Sequence, residues 1–150
     1  MASEQYARIM LELDYAFLAE YASIQDGKLT TVGASFTKLR TPELPTQVFL
    51  AVAGRIRCDE PERETIGVTV RITAPGDEPW AIEATNRLNA SEAEHTPYNG
   101  HRRGIIFALQ MSMTLVEFGT HTVEVDIDET DGVDRVLKFE TISASLGEQP

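Results

Sequence analysis

Cysteine is nearly absent: Cys58 stands alone among 150 residues. No internal disulfide can therefore staple the chain, and the expected setting is a reducing one, the cytoplasm by default. Long apolar runs are missing too. None approaches the roughly 18–20 residues that a membrane-spanning helix needs. Met1–Met10 lacks a basic start followed by an apolar stretch, so no secretory signal is expected. Basic residues are scarce, 13 against 24 acids, for a formal charge of −11. Residues 117–150 hold nine of those acids and two of the bases. Such a surface repels phosphate backbones, so nucleic acid is not expected as a partner, and the acidity reads as solubility.

Signatures of chemistry are also lacking. There is no Gly-x-Ser-x-Gly elbow and no Gly-rich phosphate loop. Cys58 adjoins Asp59 and Glu60, the wrong neighbours for a thiolate nucleophile. His95 and His101 are six residues apart with no cysteine close to either, and Cys58 and His121 would have to converge from distant strands, so zinc-site spacing is missing. Counting a calcium loop from Asp126 puts Asp131 where glycine is required and Leu137 where a glutamate is required. No metal and no cofactor is expected.

What is present is alternation. Ile66, Val68, Val70 and Ile72 alternate with Gly67, Thr69, Arg71 and Thr73, the period of a strand with one face buried. Ala-Pro-Gly-Asp at 74–77 turns the chain, and Trp80, Ile82 and Ala84 continue an inward face, giving a hairpin over 66–88. His121, Val123, Val125 and Ile127 alternate with Thr122, Glu124, Asp126 and Asp128. Asp131-Gly132 then turns the chain back through Leu137 and Phe139, a second hairpin over 121–141. Val48–Arg57 reads as a strand, and Cys58–Glu64, with Pro61, as a loop.

Gly104–Val116 is apolar on both faces of the alternation. Its flanking glycines and branched residues favour a central strand over a buried helix. Leu13–Ile24 and Lys28–Leu39 form a hairpin across Asp26-Gly27. Ser3–Met10 is either a short helix or a frayed end. With no crossover-sized helical patterns, the predicted fold is all-β. It is an antiparallel two-sheet sandwich of about eight strands in one domain over 1–150, with an extension at 1–12 and a tail at 144–150.

Phe17-Leu18-Ala19-Glu20-Tyr21-Ala22, then Asp26-Gly27-Lys28-Leu29, then Val32-Gly33, then Pro45 ahead of an apolar strand, form a pattern over residues 13–57. It resembles a bacterial domain family of unknown function, mostly actinobacterial. The resemblance implies a small β-sandwich of immunoglobulin-like outline and no catalytic residues. Asn89–Arg103 is longer than the family pattern suggests.

That stretch supplies the candidate site: His95, Tyr98, His101, Arg102 and Arg103, a polar and locally basic loop in an acidic chain. The alternative is a solvated connector whose arginines pair with nearby acids. The functional expectation is a non-enzymatic binding or structural accessory module, with a protein partner or a homodimer and with no nucleic acid and no membrane. Two alternatives stand beside it: a small enzyme using His101 or His121 with a carboxylate on a β scaffold, and a metal- or ligand-binding protein.

Overall fold

The structure, a computed structural model, describes residues 10–76, 81–91, 95, 97–99 and 102–144. Among them are eleven strands and no helix. In chain order they are β1 (Leu11–Ala19), β2 (Tyr21–Gln25), β3 (Lys28–Val32), β4 (Lys38–Thr41), β5 (Thr46–Cys58), β6 (Thr65–Thr73), β7 (Ala81–Asn89), β8 (Pro97–Asn99), β9 (Arg102–Leu115), β10 (Gly119–Ile127) and β11 (Arg135–Ser143). The first sheet has the order β1-β5-β9-β8, and the second has β4-β11-β10-β6-β7. A separate two-stranded sheet, β2-β3, completes the set.

Both predicted hairpins are present. β6 and β7 pair antiparallel from Thr65↔Asn89 to Thr73↔Ala81, and β10 and β11 from Gly119↔Thr141 to Val125↔Arg135. Trp80 and the Ser3–Ile9 part of the N-terminal helix reading lie outside the described residues. The doubly apolar stretch is a strand. β9 pairs with β5 along thirteen positions, Thr46↔Leu115 through Cys58↔Arg103.

Several expectations are corrected. The strands number eleven rather than eight, in three sheets rather than two. The arrangement is not wholly antiparallel, because β4 runs parallel to β11. Leu13–Ile24 is not one strand. Residues up to Ala19 pair with β5, the chain bends at Glu20, and β2-β3 folds back across the outer face of the first sheet. Alanines at 19, 51, 53 and 108 let the hairpin lie close there, and Gln110 Oε1 accepts from Ala22 N–H at 2.6 Å. Alternation from Lys28 to Leu39 fails because Gly33 and Ser35 both turn left-handed, at φ 62° and 63°.

The core lies where the inner faces of the two larger sheets meet. Leu50, Val52, Ile56, Ile105 and Phe107 come from the first sheet, and Val68, Val70, Ile72, Val123, Val125 and Phe139 from the second. Each such side chain taken from water contributes about 1.5–3 kcal/mol. The outer face of the second sheet stays wet. Glu124 stands opposite Arg71, and Asp126 opposite Thr69.

The first sheet's outer face is held differently. A register shift between Leu13 and Tyr15 inserts Asp14. Its carboxylate accepts from Arg57 Nη2 and Arg55 Nε, each at 2.7 Å, while Arg55 also lies over the Tyr15 ring. Beside this bulge, β1 and β5 approach so closely that a Cβ on Gly54 would lie 2.1 Å from the Tyr15 carbonyl oxygen. Backbone cannot yield there as a flexible side chain would. Gly54→Ala is expected to cost about 1–3 kcal/mol or more, read as a lowered urea midpoint.

Candidate functional site

One end of the two sheets is built from four segments. In the first sheet the row Leu11–Cys58–Arg103 marks this end, and in the second it is Val68↔Ile127. Asp59 N–H donates to Met10 O, and Asp128 N–H to Gly67 O, so the loop after β5 and the turn after β10 are both tied to neighbouring strands. Between them lies a cavity of about 620 Å³, within the range of small-molecule pockets. Met10, Leu11 and Leu13 give it an apolar side, and Glu60, Arg63, Glu129 and Asp131 a charged one.

Arg103 fixes the inner wall. Strand alternation makes it inward-facing with Ile105 and Phe107, and its side chain is 2% exposed. Its guanidinium donates to Ala90 O through Nη1 and to Glu60 O through Nη2, with Cys58 Sγ 3.5 Å from Nη2. Cys58 Sγ also donates to Glu60 O at 3.7 Å. Burying a guanidinium is costly unless it is hydrogen-bonded, and these carbonyls supply the bonds. Arg103 thereby locks the 59–64 loop and the segment after β7 to the end of β9.

Arg63 spans the outer wall. Nη2 meets Glu60 Oε1 at 2.6 Å, and Nη1 pairs with Glu129 on the β10–β11 turn. The two carboxylates hold Arg63 still more firmly protonated than usual. In return the Arg63 hydrogen bond keeps the Glu129 carboxyl below the ordinary carboxylate range, with Arg87 adding a weaker pull. Deeper in the turn, Asp134 Oδ2 accepts from Ile127 N–H at 2.7 Å and from Thr130 Oγ1–H at 2.8 Å. Asp126 is pushed upward, first by desolvation and then by Asp134, Asp128 and Glu124. Among the described residues no group of three or more His, Cys, Asp or Glu is placed to hold a metal ion.

The residues singled out from sequence disperse. His95 is partly buried, and its Nε2 donates to Asn89 O at 2.8 Å. Tyr98 is the middle residue of β8, and His101 lies outside the described residues. Arg102 opens β9, half-exposed, 3.9 Å from Glu12. Arg103 is interior, so the expected solvated loop ends where β9 begins. Arg63 and Glu129 escaped notice because Asp59–Glu64 looked like a charged connector. The available signal was a lone arginine within a run of acids.

His121 does not join this end. It is fully buried, its ring stacked on Phe139 at 4.8 Å, with Nδ1 donating to Gly119 O at 3.3 Å. Thr122 pairs with Thr73 at one end of β6, and Asn89, which binds His95, pairs with Thr65 at the other. Eight residues of strand separate these ends, about 26 Å. The two described histidines therefore share no site.

Two outcomes follow. Arg103→Ala takes the guanidinium from Ala90 O, while Glu60 O keeps the Cys58 thiol and the Arg63 N–H, and should cost about 1–3 kcal/mol in denaturant unfolding. Burial lowers the His121 pKa from the ordinary 6.5. The unfolded chain therefore takes up that proton more readily than the folded one. Stability from this group is complete above pH 6.5 and falls as pH drops from 6.5 toward the lower folded value. His121→Phe should flatten that limb of a midpoint-versus-pH curve.

No curated protein matches the chain. A solved structure found similar is that of the Pseudomonas fluorescens alkylpurine DNA glycosylase AlkC bound to DNA containing an abasic site analog. The TM-score is 0.49 and the identity 9%, over 88% of this chain and 30% of that one. The expectation that excluded nucleic acid in favour of a protein partner or homodimer is withdrawn, since this neighbour carries DNA. At that similarity the likeness assigns no DNA binding to this chain either. No helix among the described residues is long and apolar enough to cross a membrane. The sequence model of a family matches residues 14–139, and the chain belongs to that family, DUF6941, a family of unknown function.

Proposed function

We propose that the chain is a non-enzymatic binding module, one cytoplasmic domain on a β-sandwich scaffold of immunoglobulin-like outline, and that the cavity between β1, the 59–64 loop and the 128–134 turn takes a small ligand. The observation that carries this reading is the cavity itself. Its volume of about 620 Å³ suits a small molecule, and three separate segments line it. An apolar side with a few charged groups is the usual composition of a pocket that binds and orients. The immunoglobulin-like outline rests on two larger sheets sharing one core.

The residues predicted from sequence enter as supports. Arg103 positions the wall through Glu60 O, and Arg102 lies beside Glu12, another lining residue. His95 braces the segment after β7 through Asn89. Tyr98 is in β8, and His101 lies outside the described residues. The enzymatic alternative has less behind it: of its two histidines, His101 lies outside the described residues and His121 is fully buried against Phe139.

A fragment screen by amide and methyl NMR tests the proposal. Binding should shift Leu11, Leu13, Arg63 and Thr130 together, and Leu13→Trp should abolish the shifts by filling the cavity. Shifts confined to residues 95–103, or none from a diverse library, would overturn it.

A further inference from the structure

The two walls of the cavity are built with unequal firmness. The 59–64 wall is fixed from within: Glu60 O receives both the Arg103 guanidinium and the Cys58 thiol. The same residue's carboxylate holds Arg63 at 2.6 Å, so the arginine stands on an immobile base. The opposite wall is the β10–β11 turn. It is knit within itself by Asp134 and Thr130, and its base is tied to β6 by Asp128 N–H on Gly67 O. Across the cavity, the Arg63–Glu129 ion pair joins turn to loop. Glu129 is 63% exposed, and its backbone is left-handed at φ 72°, a conformation that costs a residue with a Cβ. Arg63 is 17% exposed, so the pair is open to solvent at its Glu129 end, and an ion pair open on that side is weakly held.

We propose that Arg63–Glu129 is a strap across the cavity, with Arg63 on the fixed wall, and that its release lets the tip of the 128–134 turn, anchored at Asp128 and Asp134, move away and open the apolar side lined by Leu11 and Leu13. This rests on the cavity being the binding site, but the device is a property of the free protein. The strap is electrostatic and open to solvent at Glu129, so high salt loosens it, while Arg87 adds a weaker attraction for Glu129 that salt also screens. Arg103 is a positioning residue here, because it acts on the strap only through Glu60.

The test uses the full chain without ligand. Glu129→Gln keeps shape and side-chain length at an exposed site, so the variant folds. Two readouts apply: amide exchange in residues 128–134, and broadening of Leu11 and Leu13 methyl signals by a soluble nitroxide. Both should rise about two- to five-fold in Glu129→Gln, the range set by an exposed ion pair. Raising sodium chloride to about 1 M, which weakens ion pairs open to solvent, should move wild type toward the variant and leave the variant unchanged. Unchanged methyl broadening in Glu129→Gln would overturn the strap, as would an equal salt response in both proteins. A failed fragment screen alone would remove the binding reading and leave this result standing.

Discussion

The pairing of β5 with β9 is the constraint on which the rest depends. Thirteen consecutive partners, from Thr46↔Leu115 to Cys58↔Arg103, make a ladder long enough to serve both ends of the molecule. Its inward residues, Leu50, Val52, Ile56, Ile105, Phe107 and Leu115, supply the first sheet's share of the core. Its outward alanines, Ala51, Ala53 and Ala108, leave room for the β2-β3 hairpin. Its last row delivers Cys58 and Arg103 to the end where the cavity lies. A strand pair this long fixes register strongly, because a slip by one residue would put Arg55 and Arg57 into the core.

From that last row the site is assembled by short-range chemistry. A buried guanidinium must find acceptors, and the nearest are backbone carbonyls of the two segments leaving the sheets, Glu60 O and Ala90 O. The constraint thus passes from a ladder to an arginine, and from the arginine to a loop. Arg63 then carries it outward to an exposed carboxylate. Exposure rises at each step, from Arg103 at 2% through Arg63 at 17% to Glu129 at 63% on the turn. In the proposed reading this difference gives the cavity a firm side and a yielding side without any dedicated lid.

Much of the fold was legible because period-two patterning reports burial directly. Ile66–Ile72 and His121–Ile127 show it, and each strand found its partner across a turn that sequence had marked. The all-β class followed from the same signal. Partner choice for Leu11–Ala19 was not legible. Pairing with β5 is a contact over some forty residues, and the nearby Asp26-Gly27 turn suggested a local hairpin instead. The parallel β4–β11 pair was hidden for the same reason. The candidate site was legible only in part. Arg103 appeared as a surface base because composition cannot tell which face of a strand an arginine occupies, and its neighbours Ile105 and Phe107 were the clue to an inward position. Arg63 and Glu129 lie 66 residues apart in sequence, and nothing local announces their pairing.

If Arg103 couples the β5–β9 ladder to the 59–64 wall of the cavity, the backbone amides beside it share the ladder's protection. Native-state hydrogen exchange measures this most directly. Asp59 N–H is bonded to Met10 O, and Ala90 N–H to Glu64 O, each at 2.8 Å beside the buried guanidinium. The account predicts that these two amides exchange as slowly as those of Ala51 and Ala108 within the ladder, and far more slowly than the Glu129 amide on the turn. Exchange of Asp59 and Ala90 at the rate of the turn would contradict it.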